Sequence, residues 1–380
     1  MTGDAGTADR RPSRRSRLRI GSSGLGPAGS EEPMAAPSEE PQLATDLARP
    51  DDPPLPSGWR VIARQELTEH LLSVRFTALL VLLGLAGVLA IYAVAGTIRD
   101  AASQIPISFT GQQLPVFPLL FTSSPTIPGF SGDKFPSFAA LVALIGPVLG
   151  IAFGFDAISS ERSEGTLPRL ISQPVYRDDV INGKFVAGLV VISGMLLTVI
   201  LLLAGVGILR LGIMPDGDVA IRLGTWFAVA VLYVGFWLAL ATLASVVFSR
   251  AATAALVVIA IWLVLTFFGD QIVSLVAGIF QPSSTGSTAA ETLANAQLTV
   301  QLGRLNPMTV FAEATQALLN PLVQSLDPYF TDPTGRALPT ILPYTQSLLL
   351  IWPQVVIMVA STVACFAAAY VTFMRQEVRA

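Results

Sequence analysis

The sequence predicts an all-α polytopic membrane protein, with six transmembrane helices, an interfacial helix before the first and a short transverse helix between the second and third. Three observations carry this. Hydrophobic residues make up 52% of the 380-residue chain and charged residues only 13%, far from the balance of an ordinary globular domain. Six apolar runs are long enough to cross ~30 Å of hydrocarbon at about 1.5 Å per helical residue. A dense island of charge, residues 159–185, separates two runs that carry no Asp, Glu, Lys or Arg.

Residues 1–57 hold Arg10, Arg11, Arg14, Arg15, Arg17 and Arg19, then Gly/Ser/Pro-rich and acidic Pro-rich sequence. Nothing in them can bury a core, so a disordered tail is expected. SRRSRL at 13–18 has the paired arginines of an export signal, but GSSGLGPAGSEEP follows where an apolar region is required. Two readings stay open: a basic tail touching anionic lipid, or translation starting at Met34.

Residues 58–75 then show helical spacing, with Trp59, Ile62, Ala63, Leu67, Leu71 and Val74 on one side and Arg60, Arg64, Gln65, Glu69 and Ser73 on the other. This predicts an amphipathic helix in the interface, with Trp59 at headgroup level and Arg60 and Arg64 toward phosphates. His70, the single histidine, is expected on an exposed face beside Glu66; one imidazole and one carboxylate make no metal or catalytic site.

The spans are expected at 76–98, 136–158, 186–209, 223–249, 251–268 and 348–374, which puts both termini on one side of the membrane. Basic residues choose the side. With the termini inside, the inner segments gather Arg60, Arg64, Arg75, Arg162, Arg169, Arg177, Lys184, Arg250, Arg375 and Arg379. The longer outer segments hold only Arg99, Lys134, Arg210, Arg222, Arg304 and Arg336. The termini and the 159–185 island are therefore expected in the cytoplasm, in a cell-membrane protein. The formal charge of −3 argues for no charged partner, and nothing points to nucleic acid.

Within the island, Thr166, Leu167 and Pro168 read as a helix start and Pro174 as its stop, with a short helix over 167–172. Asp178 or Asp179 is expected to cap the next helix, which runs into the third span. The residues Glu161, Glu164, Gly165, Thr166 and Leu167, then Pro174, Val175 and Arg177, then Gly183 and Lys184, closely resemble the E-x-x-x-G-T-L, P-V-x-R and G-K pattern of permease subunits of type-2 ABC transporters, in the branch that includes the permease of the nitrous oxide reductase maturation system. The segment at 58–75 is similar to that family's N-terminal elbow helix, including an acid at Glu66.

The resemblance implies that residues 58–380 form the transmembrane domain and that 159–185 is a coupling segment docking on a separate ATP-binding subunit. Glu161, Glu164, Gly165, Thr166, Leu167, Arg169, Leu170, Pro174, Arg177 and Lys184 would carry that contact, with Trp59, Arg64 and Glu66 marking the elbow. It also implies an exporter with two permease subunits, as a homodimer or a heterodimer. The chain has no GxxxxGK(S/T) loop, so ATP and Mg are expected on the partner and no cofactor on this chain. Leu167, Leu170 and Ile171 offer an apolar turn for docking, while Arg162, Arg169 and Arg177 are expected to pair with acids of the partner. The competing reading is a membrane anchor or assembly factor that uses a partner ATPase for mechanical signalling. An enzyme is disfavoured, because no pair of acids, Ser/His arrangement or metal-ligand cluster falls at one membrane depth.

Elsewhere, Asp270 is expected at the interface or at a turn into a re-entrant segment. Gly146, Gly150 and Gly154 form a ladder for close helix packing, and Pro147 and Pro353 loosen their helices. In the outer loop, 281–347, Asn306 and Pro307 start a helix that runs to about Leu319 and stops at Asn320. Cys365 stands alone in the last span, as a small apolar residue.

Overall fold

The computed structural model describes residues 58–102, 108–109, 112–113, 116–124, 135–163, 176–282, 288–320 and 342–376. The tail read over 1–57 lies outside them. Among the described residues, eleven helices follow in order: α1 (Gly58–Leu71), α2 (Val74–Ala102), α3 (Val116–Thr122), α4 (Phe138–Gly154), α5 (Ser159–Ser163), α6 (Arg177–Leu211), α7 (Gly217–Val247), α8 (Ala251–Phe280), α9 (Ala289–Gly303), α10 (Pro307–Leu319) and α11 (Tyr344–Arg375). Among the described residues, β structure is confined to a two-residue antiparallel pairing of β1 (Ser108–Phe109) and β2 (Gln112–Gln113). Six helical stretches among the described residues are long and apolar enough to cross a membrane, as the sequence predicts. We call the end of the bundle that holds α1, α5 and the last residues of α11 basal, and the other end apical.

Boundaries follow local chemistry. Ser137 caps α4 by accepting from the Ala140 N–H at 3.2 Å, and Asp216 caps α7 by accepting from Val219 N–H at 2.9 Å. Gly212 ends α6 in the left-handed conformation at φ 68°, where a Cβ would be strained. Tyr176, with no side-chain bond, caps α6, so the expected capping by Asp178 or Asp179 does not occur. Both carboxylates lie instead in the first turn, where the helix dipole favours negative charge.

The glycine ladder packs α4 against α7. A Cβ on Gly150 would fall 2.7 Å from Leu238 N, Trp237 Cβ and Val234 O, and one on Gly154 would fall 2.9 Å from Ala241 Cβ and Leu238 O. Pro147 has no N–H to give the Ala143 carbonyl one turn back, and the Tyr233 hydroxyl of α7 donates to that carbonyl at 2.7 Å. Gly150→Ala is expected to lower stability by about 1–3 kcal/mol through overpacking. Gly194→Ala, with nothing within 4 Å of its added methyl, should gain up to about 1 kcal/mol from helix propensity. Thermal unfolding in detergent compares the two, and equal effects would remove the close α4–α7 approach as the explanation.

Three helices run past the expected spans. That of the third begins at Arg177, beside the expected cap at 178 or 179, so the charged residues up to Lys184 belong to its first turns. That of the fourth begins at Gly217, ahead of Arg222. The helix of the fifth does not stop at 268: α8 is continuous to Phe280, with no turn at Asp270, which sits exposed on it. Gly269 is tolerated there because its missing Cβ admits Asn306, whose Nδ2 donates to the Leu265 carbonyl at 3.0 Å. The same Asn306 accepts from the Met308 N–H at 3.1 Å and caps α10, which ends at Leu319 as expected.

Two helices the sequence reading leaves unplaced complete the apical end. α3 buries Phe117, Leu120 and Phe121 in the main core, and α9 starts with a Thr288/Glu291 capping box. α10 sinks into the bundle, burying Val310, Phe311, Ala314 and Leu318, with Phe311 stacked on Tyr233 at 4.6 Å. Arg222, counted as an outer-segment charge, is buried: its guanidinium donates to Asp218 at 2.6 Å, Leu318 O at 3.1 Å, Ser347 Oγ at 3.0 Å and Leu342 O at 2.6 Å. One side chain of α7 thus pins α10 and the start of α11 together.

Candidate functional site

The elbow is a joint. α1 ends at Leu71, and Ser73 clasps both helices by donating to the His70 carbonyl at 2.7 Å and accepting from the Phe76 N–H at 3.2 Å. Trp59, Ile62, Ala63, Glu66, Leu67 and His70 face the bundle, whereas Leu71 and Val74, expected on that face, are exposed. The face is set by where α1 meets α6, and the joint at Ser73 breaks the periodicity beyond it. Arg60 and Arg64 stay exposed, with the Arg60 guanidinium 5.4 Å from the Trp59 ring.

α1 lies against the base of α6 because Gly183 lets it. A Cβ at Gly183 would fall 2.9 Å from Ile62 Cβ and from Trp59 O. The next residue, Lys184, is then placed between two carboxylates: its Nζ pairs with Glu66 of α1 and with Glu161 of α5, the latter at 2.8 Å. The lysine side chain is 9% exposed and the carboxylates 17% and 18%, so these charges hold one another out of solvent. Residues far apart in sequence, Glu66, Glu161 and Lys184, form one cluster.

A cavity of about 390 Å³ opens beside it, walled by Glu66, Glu69, His70, Asp156, Glu161 and Lys184. Asp156 on its wall pairs with Arg75 at the start of α2, whose guanidinium lies 5.0 Å from the Phe155 ring. His70 is not on an exposed face. Its ring meets Phe153 edge-on at 5.3 Å, with Nε2 3.9 Å from Glu66. Burial pushes the imidazole below its ordinary 6.5, against the opposing pull of Glu66 and Asp156. The unfolded chain therefore takes up a proton first as pH falls. The contribution of neutral His70 to stability is complete above 6.5 and is lost as pH drops through the lowered folded value. Melting temperatures measured between about pH 8 and 5 should fall with acid in the parent and fall less in His70→Asn; parallel curves would refute this.

A second polar cluster closes the base. Arg162 donates from Nη1 to the Val246 carbonyl at 3.3 Å and from Nη2 to the Gln376 side chain, while Arg177 donates to the Gln376 carbonyl at 3.1 Å. Arg177 also covers the Phe373 ring at 5.6 Å, and Gln376 Nε2 donates to Val246 O at 3.0 Å. Arg162 and Arg177, expected to reach for a partner's acids, bond within the chain, because the ends of α7 and α11 present carbonyls beside them. Beneath lies a separate apolar cluster of Ile158, Val180, Ile181, Val246, Ala369 and Phe373. Buried Ser245 Oγ accepts from the Ile158 and Ser159 N–H groups at 2.9 and 3.0 Å and fixes the turn into α5.

Glu164, Gly165, Thr166, Leu167, Arg169, Leu170 and Pro174, and the short helix read over 167–172, lie outside the described residues. What the structure places are the two ends of that segment, α5 and the start of α6, brought together by the Lys184 and Gln376 clusters. Asp156, Ser245 and Gln376 were not singled out as site residues by sequence reasoning. Asp156 stands at the island's edge, but a lone Ser in a span and a Gln near the chain end carry no pattern.

A family model described as ABC-2 family transporter protein matches residues 60–378. The chain belongs to this family. No curated protein matches it. As an ABC-2 family member with six apolar helices, it is a multi-pass membrane protein and a permease component, and membership implies an ABC ATPase as partner. The matched region begins within α1 and ends just past Gln376, so the elbow and both basal clusters fall inside it.

Proposed function

We propose that the chain is the permease subunit of an ABC exporter, with its termini and the 159–185 segment in the cytoplasm. A separate subunit binds ATP and Mg and hydrolyses the nucleotide, and two permease subunits, a homodimer or a heterodimer, form the membrane part. The observation that carries this is the Lys184 cluster, which unites α1, α5 and α6 at the base. A push on the segment between α5 and α6 then moves three helices as one foot. Leu167, Leu170 and Ile171 supply the apolar contact, Glu164, Gly165, Thr166 and Pro174 shape it, and Arg169 orients it. The placement nearest the nitrous oxide reductase maturation branch rests on the same motif order and is part of this proposal.

Leu170→Asp is expected to leave the protein inserted and to abolish stimulation of the co-purified ATPase in lipid vesicles. Full stimulation by the variant would overturn the coupling role. Stimulation in the parent without movement of any solute would favour a membrane anchor that signals mechanically.

A further inference from the structure

Two polar clamps sit at opposite ends of one helix pair. At the base, Val246 of α7 and Gln376 at the end of α11 share hydrogen bonds with each other and with Arg162 and Arg177, at the end of α5 and the start of α6. At the apex, Arg222 of α7 binds Ser347 of α11 and the Leu318 carbonyl of α10, and Thr225 Oγ1 lies 2.7 Å from the Tyr344 hydroxyl. Lower on α11, Gln354 donates to Glu313 of α10 at 2.8 Å. Between the clamps, α11 keeps few side chains inside the bundle and packs chiefly along α7. A helix of 32 residues spans ~48 Å at about 1.5 Å per residue, so the pair reaches from one clamp to the other across the membrane.

A packed helix pair held at both ends by directional bonds moves as a rod, since close-packed interiors shift as units. We propose that α7 and α11 form a strut that carries movement of α5 and the base of α6 to α10, and that Gln376 is the positioning residue that engages it. This rests on the coupling reading above. Gln376 suits the task because its amide offers an acceptor to Arg162 and a donor to Val246 at once, while its own carbonyl takes Arg177. Gln376→Leu keeps the bulk and removes both side-chain bonds, whereas Gln376→Glu keeps the acceptor for Arg162.

The test uses the complex with its co-purified ATPase in lipid nanodiscs, in a Cys365→Ser background, spin-labelled through Thr97→Cys on α2 and Gln316→Cys on α10. Trapping with ATP and vanadate is expected to shift the label distance in the parent. Gln376→Leu, which leaves Arg162 on the Val246 carbonyl and Arg177 on the Gln376 main-chain carbonyl, should shrink the shift while ATPase stimulation persists, and Gln376→Glu should restore it. A parent-like shift in Gln376→Leu overturns the strut. A parent with neither stimulation nor shift overturns the coupling reading instead. If Gln376→Leu does not assemble, the combined Ser347→Ala and Tyr344→Phe variant removes both side-chain bonds of α11 at the apical clamp and leaves Arg222 on the Leu342 carbonyl; there an unaltered shift overturns the strut and a reduced one supports it.

Discussion

Replacing Lys184 with Met is expected to cost the folded chain about 3–5 kcal/mol, the loss typical of removing one partner from a buried ion pair. The lysine stands between Glu66 and Glu161 with all three side chains mostly buried. Without it, two carboxylates face each other in a site that water reaches poorly. Their repulsion would push α1 away from α5, and the Gly183 contact with Trp59 and Ile62 gives way with it. Thermal or denaturant unfolding in detergent reads the loss.

Adding Glu66→Gln to Lys184→Met should return part of the stability, since it removes one of the two facing charges, so the pair of substitutions is non-additive. A loss below about 1 kcal/mol in Lys184→Met, the size of an exposed pair, would show that the cluster is solvated and does not tie the elbow to the bundle. Additive losses in the double variant would say the same. The Gly-Lys dipeptide is thus one device: the first residue permits the approach of α1 and the second locks it.

What was legible in the sequence is what depends on near neighbours. Asn306 and Pro307 announce the start of α10 because capping is decided within three residues, and the Gly146, Gly150 and Gly154 ladder announces a close helix contact because its period is that of one helix face. The partner of that ladder, α7, has no local signature. His70 misleads for the same reason: the face of α1 that is buried is chosen by α6 and Phe153, residues distant in the chain. The run of α6 from its charged first turns into the third span is legible locally, because acids at 178 and 179 mark a helix start; that Tyr176 takes the cap position without a side-chain bond is not. Glu66, Glu161 and Lys184 could each be named from motif order, but their meeting at one point follows only from the fold.

Arg222 shows the same limit with the larger consequence. Assigning a cation to a loop from its position near a span end assumes that water receives its charge; here Asp218, two carbonyls and Ser347 receive it, and the residue is 1% exposed. Arg222→Leu is expected to cost about 3–5 kcal/mol, chiefly from the loss of the Arg222 donors to the Leu318 and Leu342 carbonyls at about 1–3 kcal/mol each. The ion pair itself contributes less, because the Asp218 side chain is 52% exposed. Arg222→Lys keeps the charge but has no planar fork with which to reach Asp218, both carbonyls and Ser347 together, so it should recover only a minor share. Hydrogen exchange should rise at the last turn of α10, Ala317 to Leu319, in both variants and more in the leucine one. If the lysine variant matched the parent in stability and exchange, charge alone would account for the site, and the geometric argument for Arg222 as the apical pin between α7, α10 and α11 would be wrong.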